Sequence, residues 1–205
     1  MKLSVIIPVY NQEKLISKAI DSVPDTEDIE IIIVNDGSTD NTQTSILNYL
    51  ADNQRKNKIT TIELEKNKGV SYALNRGLEK AIGNYIVFLG SDDWFIPGML
   101  EKLLEGFYDS NKDLIYFDLE TNDGTIFHLE EETKRDLCGS VKLMKRSFLE
   151  GMKVNEEKRA AEDLEFNEEL LKRNPTEIFS NLIVKHYNFP REGSLYWNYS
   201  RGLEN

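Results

Sequence analysis

Short apolar runs recur through the first half of the chain, and each is followed by a stretch of helical period. Residues 3–9, Leu-Ser-Val-Ile-Ile-Pro-Val, read as a buried strand. Leu15, Ile16, Ala19, Ile20 and Val23 then share one helical face, with Asn11 as a candidate N-cap and Pro24 as the stop. Residues 29–34, Ile-Glu-Ile-Ile-Ile-Val, give a second strand that ends in the turn Asn35-Asp36-Gly37-Ser38. Thr39 or Asp40 is placed to cap the next helix, which carries Ile46, Leu47, Tyr49 and Leu50. Residues 59–64 alternate as a third strand. Asn67-Lys68-Gly69 turns into a helix with Ala73, Leu74, Gly77, Leu78 and Ala81, and residues 85–89 form a fourth strand of continuous apolar character. Strand alternating with helix four times over predicts an α/β fold with a mostly parallel central sheet, right-handed crossovers and helices on both faces.

The second half is less regular. It predicts a helix over 97–108, a strand over 114–119, a hairpin turn at Asn122-Asp123-Gly124 and a returning strand over 125–129. Charged residues fill 130–136. Residues 142–149 read as a short helical or extended piece, 160–172 as a helix and 178–187 as a last strand. The tail, 190–205, is aromatic and polar without a period. No repeat or linker interrupts the chain, so a single domain over 1–205 is expected.

Composition narrows the class. Of 205 residues, 40% are hydrophobic and 30% charged, an ordinary globular balance. The net charge of −11, with no local basic patch, argues against a nucleic-acid partner. The single cysteine, Cys138, excludes an intrachain disulfide and suits a reducing cytoplasm. No run reaches a membrane span, and the first apolar run is too short for a signal peptide. Peripheral association with the inner face of a membrane, and oligomer formation, are compatible with this pattern.

The candidate chemistry lies where strands end. Tyr10-Asn11, Asn35-Asp36-Gly37-Ser38 and Gly90-Ser91-Asp92-Asp93 each follow a predicted parallel strand, so all three fall on one edge. Adjacent carboxylates at Asp92 and Asp93 repel unless a cation or proton lies between them. They read either as a divalent-cation site or as a cap for the following helix. Asp36 reads either as a turn former or as an acceptor for a base N–H or a ribose diol. On their own, Glu162 and Asp163 read as an acid pair at a helix start.

Taken together these segments carry a resemblance. Residues 4–11 (Ser-Val-Ile-Ile-Pro-Val-Tyr-Asn), 33–42 (Ile-Val-Asn-Asp-Gly-Ser-Thr-Asp-Asn-Thr), 67–71 (Asn-Lys-Gly-Val-Ser) leading through Asn75, and 91–94 (Ser-Asp-Asp-Trp) resemble family 2 glycosyltransferases of the GT-A fold. Glu162-Asp163 resembles the family's Glu-Asp motif, and Tyr187 with Arg191 and Ser194 its later tyrosine–arginine–serine segment. The resemblance implies a nucleotide-sugar donor, commonly UDP-linked, bound by residues 1–119. It implies a saccharide or lipid-linked acceptor on 120–205, and Mn²⁺ or Mg²⁺ as cofactor. Pro8, Val9, Tyr10 and Asp36 would frame the base and ribose, Lys68 would lie near the nucleotide, and Asp92 would sit by the ribose and diphosphate. Asp92 or Asp93 would ligate the metal. Asp163 would be the base of an inverting transfer, and Trp94, Glu162 and Arg191 would belong to the sugar and acceptor side. The expected activity is thus metal-dependent glycosyl transfer in bacterial surface polysaccharide synthesis; the alternative is an inert nucleotide-sugar-binding partner subunit. Two departures stand out. Gly90 occupies the place of the family's first acid before Ser-Asp-Asp, and Leu74 that of an arginine, with Arg76 two residues further on. His186 reads as a metal neighbour or as a structural histidine.

Overall fold

β1 (Leu3–Val9) and β2 (Ile29–Asn35) are covered on both faces, which is why their sequences run apolar instead of alternating. A computed structural model of the chain describes residues 1–131, 141–157 and 162–189. β3 (Lys58–Glu63) is the edge strand and is only partly covered, in keeping with its alternation. β4 (Tyr85–Phe88) is buried throughout. The connecting helices are α1 (Ile16–Asp21), α2 (Thr42–Asp52) and α3 (Val70–Lys80).

These four strands lie in the order β3-β2-β1-β4, and every pair is parallel. The chain steps outward from β1 to β2 and β3, then returns across both to β4. With right-handed crossovers, that reversal puts α3 on the face opposite α1 and α2. α1 accordingly packs on α2, and α3 on β1 and β2. At Gly77 the contact is so close that a Cβ would run into the Ile6 side chain. The direction of winding switches between β1 and β4, so their carboxyl ends flank the crevice in which open α/β sheets bind ligands. At the opposite end of β2 lies a buried acid, Glu30. It accepts from Ser4 Oγ (2.6 Å) and from the N–H groups of Ile82 (2.7 Å) and Gly83 (3.2 Å), which satisfies its burial.

The second half adds β5 (Trp94–Phe95), α4 (Met99–Phe107), β6 (Leu114–Thr121), β7 (Ile126–Phe127), β8 (Lys142–Lys145), α5 (Glu162–Lys172) and β9 (Glu177–Tyr187). The same sheet continues as β4-β8-β6-β9-β5, with β7 paired to β6. β8 runs antiparallel to both β4 and β6, β9 parallel to β6, and β5 antiparallel to β9. Parallel pairing therefore characterises the first half and mixed pairing the second.

Three local expectations are corrected. Asn11 does not cap α1, which begins only at Ile16. Asn11 adopts φ 52° and turns its side chain across to the next loop, where its Oδ1 accepts the Thr39 N–H at 2.8 Å. The returning strand of the hairpin pairs over two residues only, because the Leu129 N–H is taken by the buried Asp118 carboxylate at 2.9 Å. Trp94 and Phe95, expected to precede a helix, form an edge strand against β9. Cys138 and the tail from residue 190 onward lie outside the described residues.

Candidate active site at the carboxyl edge of the sheet

Backbone bonds bring the strand ends together. The Asp36 N–H donates to Val9 O at 2.8 Å, and the Leu89 N–H donates to Ile6 O at 2.9 Å. Val9 itself is core, so only its backbone reaches this edge; Pro8 is half-buried beside it. Tyr10 stands at the mouth, 42% exposed. Asn11, Asn35 and Ser38 link the loops after β1 and β2: Asn11 N–H donates to Ser38 Oγ (3.0 Å), which donates to Asn35 Oδ1 (2.6 Å).

Asp36 is buried and braces the loop that leads into α3. Its Oδ1 accepts the Lys68 N–H and its Oδ2 the Gly69 N–H, both at 2.8 Å. These donors lie at the start of a helix, where the backbone dipole favours an anion. Burial nonetheless outweighs the two bonds and pushes the Asp36 carboxyl up from the usual carboxylate range. Gly37 permits this packing: it has φ +63°, and a Cβ there would overlap the Lys66 backbone. The Lys68 ammonium lies over the Tyr72 ring at 4.2 Å, and the Arg76 guanidinium over the same ring at 4.8 Å. Arg76 also pairs with Glu79 one turn further along α3, whereas Leu74 is buried.

The acid turn after β4 folds back on itself, with Asp93 N–H donating to Gly90 O at 3.0 Å. Asp92 is half-buried, and Asp93 is only 4% exposed. Asp93 faces inward: its Oδ2 lies 2.9 Å from Lys185 Nζ, and its Oδ1 accepts the Asn188 N–H at 3.0 Å. Burial raises its pKa and the neighbouring Asp92 adds to this, against the pull of Lys185 and the Asn188 bond. Asp93, expected with Asp92 as a candidate metal ligand, is thus held inward with one protein partner on each carboxylate oxygen. Among the described residues no three His, Cys, Asp or Glu side chains are grouped to hold a metal ion. The donor set instead fits the mode in which one carboxylate shares a hard cation with substrate phosphates.

Trp94 is not an open platform. His186 stacks on it at 4.1 Å, and the Lys18 ammonium lies 2.9 Å from the ring centroid. At those separations the two cannot share a face, so both faces are covered. His186 is in turn fixed, with Nδ1 at 3.0 Å from Glu120 and Nε2 at 2.8 Å from Asn122 Oδ1. Both ring nitrogens thus have protein partners, the arrangement of the structural alternative.

Asp163 lies at the start of α5 and is exposed, with Oδ1 accepting the Leu164 N–H at 2.9 Å. It lines a small cavity together with Leu74, Phe88, Lys142 and Phe166. Phe88 ends β4, and its ring lies 6.0 Å from that of Phe166, so α5 packs beside the strand that leads into the acid turn. The intervening loop is held by Asn75, whose amide both donates to Val154 O (2.8 Å) and accepts the Val154 N–H (2.9 Å). The Glu162 side chain and Arg191 lie outside the described residues.

Sequence reasoning missed two buried lysines, Lys142 and Lys185. The signal was present: each interrupts an apolar strand, as Val141-Lys142-Leu143 and Val184-Lys185.

Comparisons with known proteins identify the family and the fold. Residues 4–160 match the family described as Glycosyl transferase family 2. The chain is 35% identical over 134 residues to the glycosyltransferase GlyA of Streptococcus pneumoniae, covering 62% of this chain and 19% of that protein. Among solved structures, S. aureus TarS residues 1–349, in complex with UDP-GlcNAc, superposes with a TM-score of 0.81 at 24% identity, covering 95% of this chain and 60% of that one. The mannosyltransferase PcManGT from Pyrobaculum calidifontis, in complex with GDP-Man and Mn²⁺, gives 0.75 at 19% identity, covering 98% and 60%. The fold is thus that of the GT-A glycosyltransferases. The chain belongs to glycosyl transferase family 2. It spans well under half the length of the first curated relatives it matches, 19% of one and 38% of another.

Proposed function

We propose that this domain transfers a sugar from a nucleotide diphosphate donor, UDP-linked, to a hydroxyl of a saccharide or lipid-linked saccharide in bacterial surface glycan synthesis, with inversion at the anomeric carbon. The observation that carries the reading is that Asp36 and the acid turn follow parallel strands at one sheet edge beside the β1/β4 switch point, while Asp163 lines a cavity that includes Phe88 at the end of β4. The UDP-GlcNAc complex of TarS and the Mn²⁺ complex of PcManGT support the donor class and the cation by likeness of fold.

Each residue has a task in this reading. Tyr10 offers an exposed ring to the base, and Pro8 and the Val9 backbone form the floor. Asp36, already bonded to two N–H groups, keeps lone pairs for a ribose or base donor. Lys68, whose N–H Asp36 accepts, supplies positive charge toward the diphosphate. Asp92 would hold Mn²⁺ or Mg²⁺, which stabilises the charge that develops on the leaving diphosphate. Asp163 accepts the acceptor hydroxyl's proton as that oxygen attacks the anomeric carbon and the bond to the diphosphate breaks. Among the described residues no helix is long and apolar enough to cross a membrane.

Asp163→Asn tests the assignment. It should lower transfer by at least about a hundredfold, the usual scale for a lost general base, while UDP affinity stays nearly unchanged. UDP with Mn²⁺ should raise the melting temperature of the wild type more than either alone. Transfer that survives Asp163→Asn refutes the base. The absence of any shift with nucleoside diphosphate and metal refutes the enzyme reading.

A further inference from the structure

Gly90 and Lys185 answer each other across the acid turn. A Cβ at Gly90 would lie 2.8 Å from Asp93 Oδ2 and 3.1 Å from Asp92 Oδ1, so no larger residue fits while Asp93 keeps its inward orientation. That orientation is set by Lys185, which approaches from β9 opposite Phe95. Lys185 is 3% exposed and its Nζ lies 2.9 Å from Asp93 Oδ2. The Asn188 N–H secures the other oxygen. A buried ammonium so placed is not a surface group waiting for a phosphate. Its effect is to cancel one of the two adjacent carboxylate charges and to anchor that carboxylate away from the crevice.

We propose that Lys185 is a positioning residue that withdraws Asp93 from the cation, leaving Asp92 as the acid of this turn that meets it. The proposal rests on the cation-dependent reading above. A turn reduced in this way attracts a divalent ion weakly by itself, and the diphosphate completes the site. The protein therefore takes up the cation together with the nucleotide, not before it.

The test is Mn²⁺ binding followed by the electron paramagnetic resonance signal of free Mn²⁺ at pH 8, with and without UDP. Wild type should bind Mn²⁺ at least about tenfold more tightly with UDP than without it. Asp92→Asn should weaken binding in the presence of UDP by more than about tenfold. The double variant Asp93→Asn/Lys185→Met removes both buried charges together and should stay within about threefold of wild type. Lys185→Met alone leaves Asp93 uncompensated and should tighten nucleotide-free Mn²⁺ binding by at least about threefold, which a purely structural lysine would not do. A double variant as weak as Asp92→Asn overturns the proposal, because Asp93 would then be a ligand. A Lys185→Met protein that folds but shows no tightening overturns it as well. If Asp92→Asn leaves Mn²⁺ binding intact, or wild type takes up no Mn²⁺ even with UDP, the cation-dependent reading falls and the proposal with it.

Discussion

Replacing Asp36 by Asn separates its bracing role from its proposed ligand role. Each carboxylate oxygen accepts one backbone N–H, from Lys68 and from Gly69, both at 2.8 Å. Asn keeps a single carbonyl oxygen, so one of these donors must face an amide NH₂. A buried donor left without an acceptor costs about 1–3 kcal/mol. Loss of the negative charge at the start of α3 removes about 0.3–1 kcal/mol more. In the other direction, the neutral side chain escapes the burial penalty that pushes the Asp36 carboxyl up. The net expectation is about 2 kcal/mol, or a melting temperature lower by about 4–8 °C for a domain of this size. Asp36→Ala leaves both donors without their acceptor and should cost more. Calorimetric melting without nucleotide reads the bracing role, and UDP titration reads the ligand role. A melting temperature within about 1 °C of wild type for Asp36→Asn, or an alanine variant more stable than the asparagine one, would refute this account of the loop.

Two further substitutions probe the same loops. Gly37→Ala should destabilise by about 3 kcal/mol in urea unfolding, because left-handed strain of about 1–2 kcal/mol adds to overlap with the Lys66 backbone. Gly124→Ala, at φ +81° with open space around it, should cost only about 1 kcal/mol; equal losses at the two sites would contradict the overlap. Asp40 gives a pH signature. Partial burial alone would raise its pKa, but bonds from the Thr42 hydroxyl, the Thr42 N–H and the Glu13 N–H hold it below the usual range. A carboxyl depressed in the folded state contributes stability above its unfolded pKa of about 4 that is lost as the pH falls. Because Asp40 is exposed and solvent screens its charge, Asp40→Asn should cost only about 0.5 kcal/mol at neutral pH. In urea unfolding over a pH series, the gap to wild type should narrow from about pH 5 downward; a gap constant with pH would count against those bonds.

Much of the site was legible because parallel strands leave little freedom. Once residues 3–9, 29–34 and 85–89 are strands joined by helices, Tyr10, Asp36 and Asp92 must reach one edge. What could not be read was the direction in which side chains turn after a strand ends. Asp92 and Asp93 are neighbours of the same type in sequence, yet one is half-buried and the other is sealed against Lys185. Ninety-odd residues separate Asp93 from Lys185 and Asn188, and no local pattern reports such a contact. The groups that cover Trp94, Lys18 and His186, were hidden for the same reason: they come from distant elements. Asn11 was read as a cap because capping is its commonest local use. Its actual partner at Thr39 lies across the crevice rim.

The amino-acid order alone, through hydrophobic period and turn chemistry, determined four parallel strands, their intervening helices and the edge at which the acids gather. Those features arise from interactions within a few turns of chain and from the handedness of the crossovers. The tertiary structure decided which of the two acids is buried. It also brought in β8, β6, β9 and β5 to extend the sheet with mixed pairing, and closed Trp94 between a histidine and a lysine. Such outcomes depend on which charges and rings are buried together, and that is set only when distant segments pack.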